Sequence, residues 1–548
     1  MSAENIVETD VLVIGGGMAG CFAAIKAREQ GLDVTLVDKG YVSRSGSTPY
    51  PHSYAVFNPE WGHQLDDWMD YVNIAGEYVN NREWTEIVFR ESYDRYQDLV
   101  SWGMKFRKND NGELLKERMP SCACEALLVG SPTNRMEERK VTQVLRRQAI
   151  VSGVRIMDKI MVTDLIKQDE GVFGAIGISG DNYSLYVFKA KVTVVSTGAA
   201  GFKAAGWPIE ELTGDGQAMA YRVGAEISGN EFLDTHSIKT DCPYDTLFSN
   251  RKEGRRVINA EGNNVMINSM RAKSDYPSIE FETHAGRAPI SLVMDNAAAD
   301  DPNRYIRVAG GAAGGMSIHT SEGIWPTNTK CASSLQGLYA AGDSCATLQV
   351  GAVYSAIGLA LAGASVTGTR AGLGAAEYAL QAERPIVDEE EISRLKRAAL
   401  AATERKGGFS PRWVTQLFKN TLTPYFILFI KHEQRLQAAL TMVEFMRDHL
   451  VPKLTAKDAH ELRLAHETKN MVINAEMKLR TSLFRTESRG CHYREDYPRR
   501  DDPSWLAWVK LKEEQGKMEL SKEPIPKEWW PDLSLPYEER YPVRFPGE

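Results

Sequence analysis

The stretch DVLVIGGGMAGCFAAIKAREQGLDVTLVDKG, residues 10–40, limits what this chain can fold into more than any other segment. Asp10–Ile14 reads as a buried parallel strand. It runs into Gly15-Gly16-Gly17-Met18-Ala19-Gly20, a G-x-G-x-x-G. Gly15 permits the tight turn, Gly17 lets the backbone approach a pyrophosphate, and Gly20 lets helix and strand pack closely. A helix is expected over Met18–Gln30, stopped by Gly31. Its first residues, Met18 and Ala19, turn the positive end of the helix toward phosphate. Asp33–Val37 is the second strand. Asp38, with Lys39 beside it, follows at the spacing of an acid that takes ribose hydroxyls. G-x-G-x-x-G alone is weak evidence. The strand before it, the helix after it and the acid beyond make it a dinucleotide site.

Two later segments choose the dinucleotide. AKVTVVSTGAAG (190–201) is an apolar strand ending in a small-residue turn at Thr197-Gly198. GLYAAGDSCAT (337–347) is a strand ending at Gly342-Asp343, where an acid can take a ribityl hydroxyl, before a small-residue helix to about residue 371. A domain that borrows strands from so far down the chain points to one FAD. No second complete G-x-G-x-x-G is present for a separate NAD domain. At 548 residues the chain exceeds one ordinary core, so two or three domains are expected. The net charge of -8 argues against a nucleic-acid partner. The best apolar run, PYFILFI (424–430), is too short to span a bilayer, so no membrane insertion is expected. MSAENIVETD shows neither a basic region nor an apolar signal core, which favours the cytoplasm. The seven cysteines are scattered, and the one close pair, Cys122 and Cys124, has no companion pair; no metal site is expected.

The segments GGGMAG…VDKG, SRSGST, STGAAG, TGDGQAMAYRVGAE, EFLDTHS, HTSEGIWPTN, GLYAAGD and RTESRGCHYREDYPRRDD occur in this order. Together they resemble the fumarate reductase / succinate dehydrogenase flavoprotein family, which also includes L-aspartate oxidase and the adenylylsulfate reductase α subunit. The likeness runs from residue 10 to about 505. It implies an α/β fold: a discontinuous Rossmann-like FAD-binding domain with an inserted α+β capping domain and a C-terminal helical domain. The expected division is 1–230 and 329–380 for the FAD domain, 231–328 for the cap and 385–500 for the helical domain. An extended aromatic, Pro-rich tail, 501–548, would lie as a strap on this chain or on a partner. In its stretch IPKEWWPDLSLPYEERYP no regular helix is expected.

Relatives that bind FAD covalently carry histidine within R-S-H-T. Here the stretch is Arg44-Ser45-Gly46-Ser47-Thr48. Gly46 has no nucleophile, so noncovalent FAD is expected, with His52 a poor substitute. The resemblance assigns Ser45, Ser47 and Thr48 to the flavin or pyrophosphate, Thr197, Gly198 and Asp215 to the adenine side, and Ser355 to the cofactor.

Reducing an activated double bond requires a hydride donor facing one carbon, an acid for the other, and groups that hold negative charge. The family takes its proton donor from the cap, where Arg287 in FETHAGRAPIS stands, without the usual aspartate after it. His236 matches a cap histidine, and His319 a histidine near the substrate. Beyond Gly342-Asp343 the chain departs from its relatives. Val350 stands where they place a histidine, and Tyr354 where they place a carboxylate-gripping arginine. Charged hydrogen bonds are worth about 1.5–3 kcal/mol each, so simple fumarate or succinate turnover is not expected. Val350, Tyr354 and Trp325 would line a more apolar pocket. Electrons would be exchanged with a separate iron–sulfur (ferredoxin-like) subunit in a heteromeric complex or oligomer. The alternatives are an adenylylsulfate reductase α-like subunit, an electron-transfer subunit with a degenerate pocket, or an oxidase using O₂. Arg485, Glu487, Arg489, His492 and Arg494 alternate charge and are expected to lock the helical domain to the FAD domain.

Overall fold

A computed structural model describes residues 4–49, 53–118, 122–129, 140–203, 210–239, 255–258, 291–294, 305–319, 321–354, 356, 358–384, 386–542, 544–545 and 547–548. Strand β1 (Glu4–Ile14) leads into helix α1 (Met18–Arg28) and strand β2 (Val34–Val37). The sheet grows through β3 (Arg155–Met157), β4 (Ile160–Gln168), β5 (Gly171–Ser179) and β6 (Leu185–Val195) in the order β3-β2-β1-β6-β5-β4. β3, β2, β1 and β6 are parallel, whereas β4 and β5 form an antiparallel flank. Val11–Ile14 and Val34–Val37 are buried, as a strand covered on both faces requires. Each valine or isoleucine so buried contributes roughly 1.5–3 kcal/mol.

Helix α2 (Asp215–Arg222) follows, and then the chain leaves the sheet. Strands β7 (Leu233–Lys239), β8 (Arg255–Ile258), β9 (Ser291–Met294) and β10 (Tyr305–Ser317) form a separate antiparallel sheet in the order β7-β10-β9-β8. This is the inserted cap. The chain then returns to the first sheet: β11 (Leu338–Ala340) pairs in parallel with Thr193–Val195 of β6. Helix α3 (Leu359–Gln381) lies on α1, with Gly368 against Ala19 and Gly372 against Ala23. A Cβ at either glycine would overlap the facing helix backbone, which is why this helix is built of small residues.

The C-terminal part is helical. Leu436, Leu440 and Val443 line the buried side of α4 (Glu433–Phe445), which packs on α5 (Ala459–Phe484). Among the described residues no helix is long and apolar enough to cross a membrane. The tail is more regular than a strap. β12 (Ala507–Glu514) and β13 (Lys517–Pro524) form a hairpin whose first strand pairs with Ile227–Ser228 of the same chain. Tyr537–Arg540 forms a single helical turn capped by Pro536, too short to be the regular helix that the prolines of this stretch exclude.

Both connections to the cap are gripped by buried charge. Before β7, Glu231 accepts from Arg485 at 3.0 Å. After β10, Glu322 pairs with Lys478 of α5, both side chains fully buried. Arg485 also reaches Glu487 at 2.6 Å and the Ala507 carbonyl at 2.5 Å. Arg489 binds Glu487 twice, at 2.7 and 2.9 Å, and Asp502 at 2.7 Å. Arg494 forks onto Asp496. Lys431 donates to the Glu231 carbonyl and to His492 Nδ1. Burial pulls Lys431 down to about 7 and holds His492 well below the usual histidine range. These groups tie helical domain, cap connection and tail hairpin together; the expected lock to the FAD-binding part is carried by Arg489, which also donates to the Glu77 carbonyl at 2.9 Å.

Candidate functional site

The site lies at the C-terminal ends of β1, β6 and β11, where parallel sheets of this kind bind ligands. Gly15 has φ +102, and a Cβ there would overlap the Ser196 carbonyl. A Cβ at Gly20 would overlap the Gly15 carbonyl oxygen. Gly17 faces Thr48, whose Oγ1 accepts from Met18 N–H at 2.9 Å at the start of α1. The RSGST turn therefore closes over the helix N-terminus. Ser45 Oγ accepts from Tyr41 N–H at 2.7 Å, and Ser47 is half-buried beside it. Gly46 has φ +67, and its absent side chain would face Leu212.

Asp38 is buried, with Gly16 N–H and Gly40 N–H donating to its two oxygens at 2.8 and 2.7 Å. Burial pushes its carboxyl upward against these two bonds. Lys39 donates to Thr213, to Asp215 at 2.8 Å and to Glu467 at 3.1 Å. Burial opposes its charge, but Asp215 and Glu467 outweigh burial and keep the ammonium protonated. Glu467 is buried too, yet Lys39 and Lys203 hold its carboxyl down to about 2. Asn470 donates to Asp215, and Asn474 to the Gly214 carbonyl. Helix α5 thus forms the back wall of the TGDG turn, a role for Glu467, Asn470 and Asn474 that no local sequence signal discloses.

At the other end, Thr197 Oγ1 accepts from Gly216 N–H at 3.1 Å and shares a hydrogen bond with Ser344. Ser344 and Gln217 both donate to the Gly198 carbonyl. Gly342 has φ +63, and a Cβ there would press on Ala19. Asp343 Oδ2 stands 2.9 Å from His319 Nδ1. The His319 ring meets Tyr354 edge-on, with centroids 5.4 Å apart, and Tyr354 Oη accepts from Ala360 N–H at 3.0 Å. Three residues read separately from the sequence, His319, Asp343 and Tyr354, therefore meet. Val350 is fully buried. Trp325 goes elsewhere: its ring packs on Trp508, 5.3 Å away, with Lys510 Nζ over it. His236 lies on β7, where only the backbone is described; Arg287, Ser355 and His52 lie outside the described residues.

These residues fit FAD. Glycines without room for a Cβ leave the backbone open at a helix N-terminus whose first turn carries no acid. Asp343 Oδ1 and Gln217 Oε1 are buried without a partner among the described residues, as expected of groups kept for a ligand. Among the described residues no group of three or more His, Cys, Asp or Glu could hold a metal ion.

Comparison with known proteins agrees. A family model described as FAD binding domain matches residues 10–299, more than half of the chain, and one described as Fumarate reductase flavoprotein C-term matches 419–541. The chain is 27% identical to a fumarate reductase (CoM/CoB) subunit from Methanothermobacter marburgensis, over 93% of this chain and 98% of that one. It superposes on the Mycobacterium smegmatis Sdh1 complex at TM-score 0.80 and 24% identity, over 95% of each chain. On adenylylsulfate reductase from Archaeoglobus fulgidus the TM-score is 0.78 at 21% identity, over 96% of this chain and 97% of that one. At these identities the two structures speak to the fold. The chain belongs to the fumarate reductase / succinate dehydrogenase flavoprotein family and is an FAD-dependent oxidoreductase.

Proposed function

We propose that this chain is the flavoprotein subunit of a fumarate reductase/succinate dehydrogenase-like complex. It moves a hydride between flavin N5 and an activated C–C bond of a substrate other than simple fumarate or succinate. The observation that carries this is Tyr354. Where the family resemblance assigns a carboxylate-gripping arginine, the site offers a neutral ring against His319, its oxygen engaged by Ala360 N–H. A fork of two charged hydrogen bonds is replaced by a neutral phenol. Bound FAD supplies the hydride chemistry. The chain supplies the cradle at residues 15–20, 38–39, 45–48, 197–198, 215 and 342–343, and His319 with Asp343 to hold a proton near the substrate. Arg287 and His236 from the cap complete the proposed set, and Ser355 a further cofactor contact. We retain the division at about residues 230, 328, 380 and 500 and a cytoplasmic location. The electron partner in this reading is a separate iron–sulfur subunit.

Stopped-flow reoxidation of the dithionite-reduced flavin tests the substrate. Enoates or enoyl thioesters are expected to reoxidise it at least tenfold faster than fumarate. The name of the Methanothermobacter relative speaks for fumarate, and fast reoxidation by fumarate overturns the proposal. Reoxidation by adenylylsulfate alone would move the chemistry to sulfur. Failure with every acceptor would leave an electron-transfer subunit with a degenerate pocket.

FAD is held without a covalent bond, since Gly46 offers no nucleophile. Acid precipitation is therefore expected to leave the yellow colour in the supernatant; colour retained in the pellet contradicts this.

A further inference from the structure

We propose that Asp343 is a positioning residue for His319, one carboxylate serving cofactor and substrate sides at once. The inference rests on the function proposed above. Asp343 sits at the turn after β11, where the sequence assigns it to a ribityl hydroxyl alone. In the structure its two oxygens are divided. Oδ2 is 2.9 Å from His319 Nδ1, and Oδ1 is buried without a partner among the described residues. Both side chains are largely shielded, at 15% exposure for His319 and 10% for Asp343.

A carboxylate only accepts, so the proton of this hydrogen bond sits on His319 Nδ1. The bond made by one ring nitrogen decides the state of the other. The neutral His319 ring therefore keeps Nε2 as an acceptor. Tyr354 packs edge-on against the same ring and limits its rotation. The ring is held from two sides, by Asp343 of the turn and by Tyr354 just before α3. The geometry suits a group that carries one proton to or from substrate with a fixed orientation. Because Oδ1 of the same carboxylate is kept for the cofactor, cofactor occupancy and the His319 tautomer are linked through one side chain.

The test is ¹⁵N-histidine NMR of the holoprotein, with His319→Gln identifying the signal among the ten histidines. At a pH where the ring is neutral, wild-type His319 is expected to carry its proton on Nδ1. A proton on Nε2 overturns the proposal. Asp343→Asn is expected to abolish the preference for Nδ1, and to lower kcat on the best acceptor about 10–100-fold with KM little changed. Asp343→Glu is expected to restore the tautomer in part. An unchanged tautomer in Asp343→Asn overturns the proposal. If Asp343→Asn sheds flavin, the wild-type spectrum alone decides. If no acceptor reoxidises the flavin, the proposed function falls while the tautomer still decides this inference.

Discussion

Glu487→Gln is expected to destabilise the protein by about 3–5 kcal/mol, the cost of leaving buried charge uncompensated. The Glu487 carboxylate accepts from Arg485 at 2.6 Å, from Arg489 at 2.7 and 2.9 Å, and from Asp501 N–H at 2.8 Å. Both arginines are fully buried and cannot turn to water. The amide keeps the shape but offers one acceptor where two guanidiniums converge. Unfolding in urea, followed by tryptophan fluorescence, should show the midpoint moving sharply down. Removing both arginines as well, in Arg485→Met/Glu487→Leu/Arg489→Met, should not restore the midpoint, because Glu231 and Asp502 then lose the buried guanidiniums that pair with them. An unchanged midpoint for Glu487→Gln would show that the network contributes nothing.

Gly20→Ala is the second large effect. Alanine inside a helix ordinarily gains about 0.5–1 kcal/mol over glycine. Here the added Cβ would overlap the Gly15 carbonyl oxygen and crowd Ser196 Oγ. The turn that brings β1 into α1 has no room to shift, because Gly15 itself stands against Ser196 and Thr197. Purified Gly20→Ala is expected to retain less than about a tenth of the wild-type flavin, a loss of at least about 1.4 kcal/mol of binding. Flavin per protein is read from the visible absorbance after acid release. Gly407→Ala is the control: its Cβ would meet nothing within 4 Å, and the yield should not change. Wild-type flavin content in Gly20→Ala would remove the close-packing account of the motif.

The β1–α1–β2 unit was legible because its signals are local: a strand, three glycines at fixed spacing and an acid. The return strand at 338–340 was legible because an apolar run ends in Gly-Asp. The back wall of the site was not. Glu467 lies 428 residues from Lys39, and nothing in the helical periodicity of α5 marks one buried glutamate as a partner of the TGDG turn. His319 and Asp343 were each picked out, but the hydrogen bond between them depends on two turns meeting across a fold. Trp325 is expected in the pocket, yet its ring packs at a tilt of 52° on a tryptophan from the tail. The tail hairpin had a local signal that its prolines and tryptophans obscured. AWVKLKEE and KMELSKEP are joined at Gln515-Gly516, both with positive φ, as a tight hairpin turn demands.

The main sheet is completed by strands made far apart in time. β6 ends at residue 195, but its neighbour β11 begins only at residue 338, after the whole cap. At about 5–20 residues per second, the ribosome leaves that edge of β6 open for roughly 7–30 s. The strand that pairs with Ser228 emerges later still, 281 residues on. A nascent chain of this protein therefore leaves the Thr193–Val195 edge unpaired for about a quarter of its synthesis, and production without chaperones should favour aggregates over flavin-loaded protein.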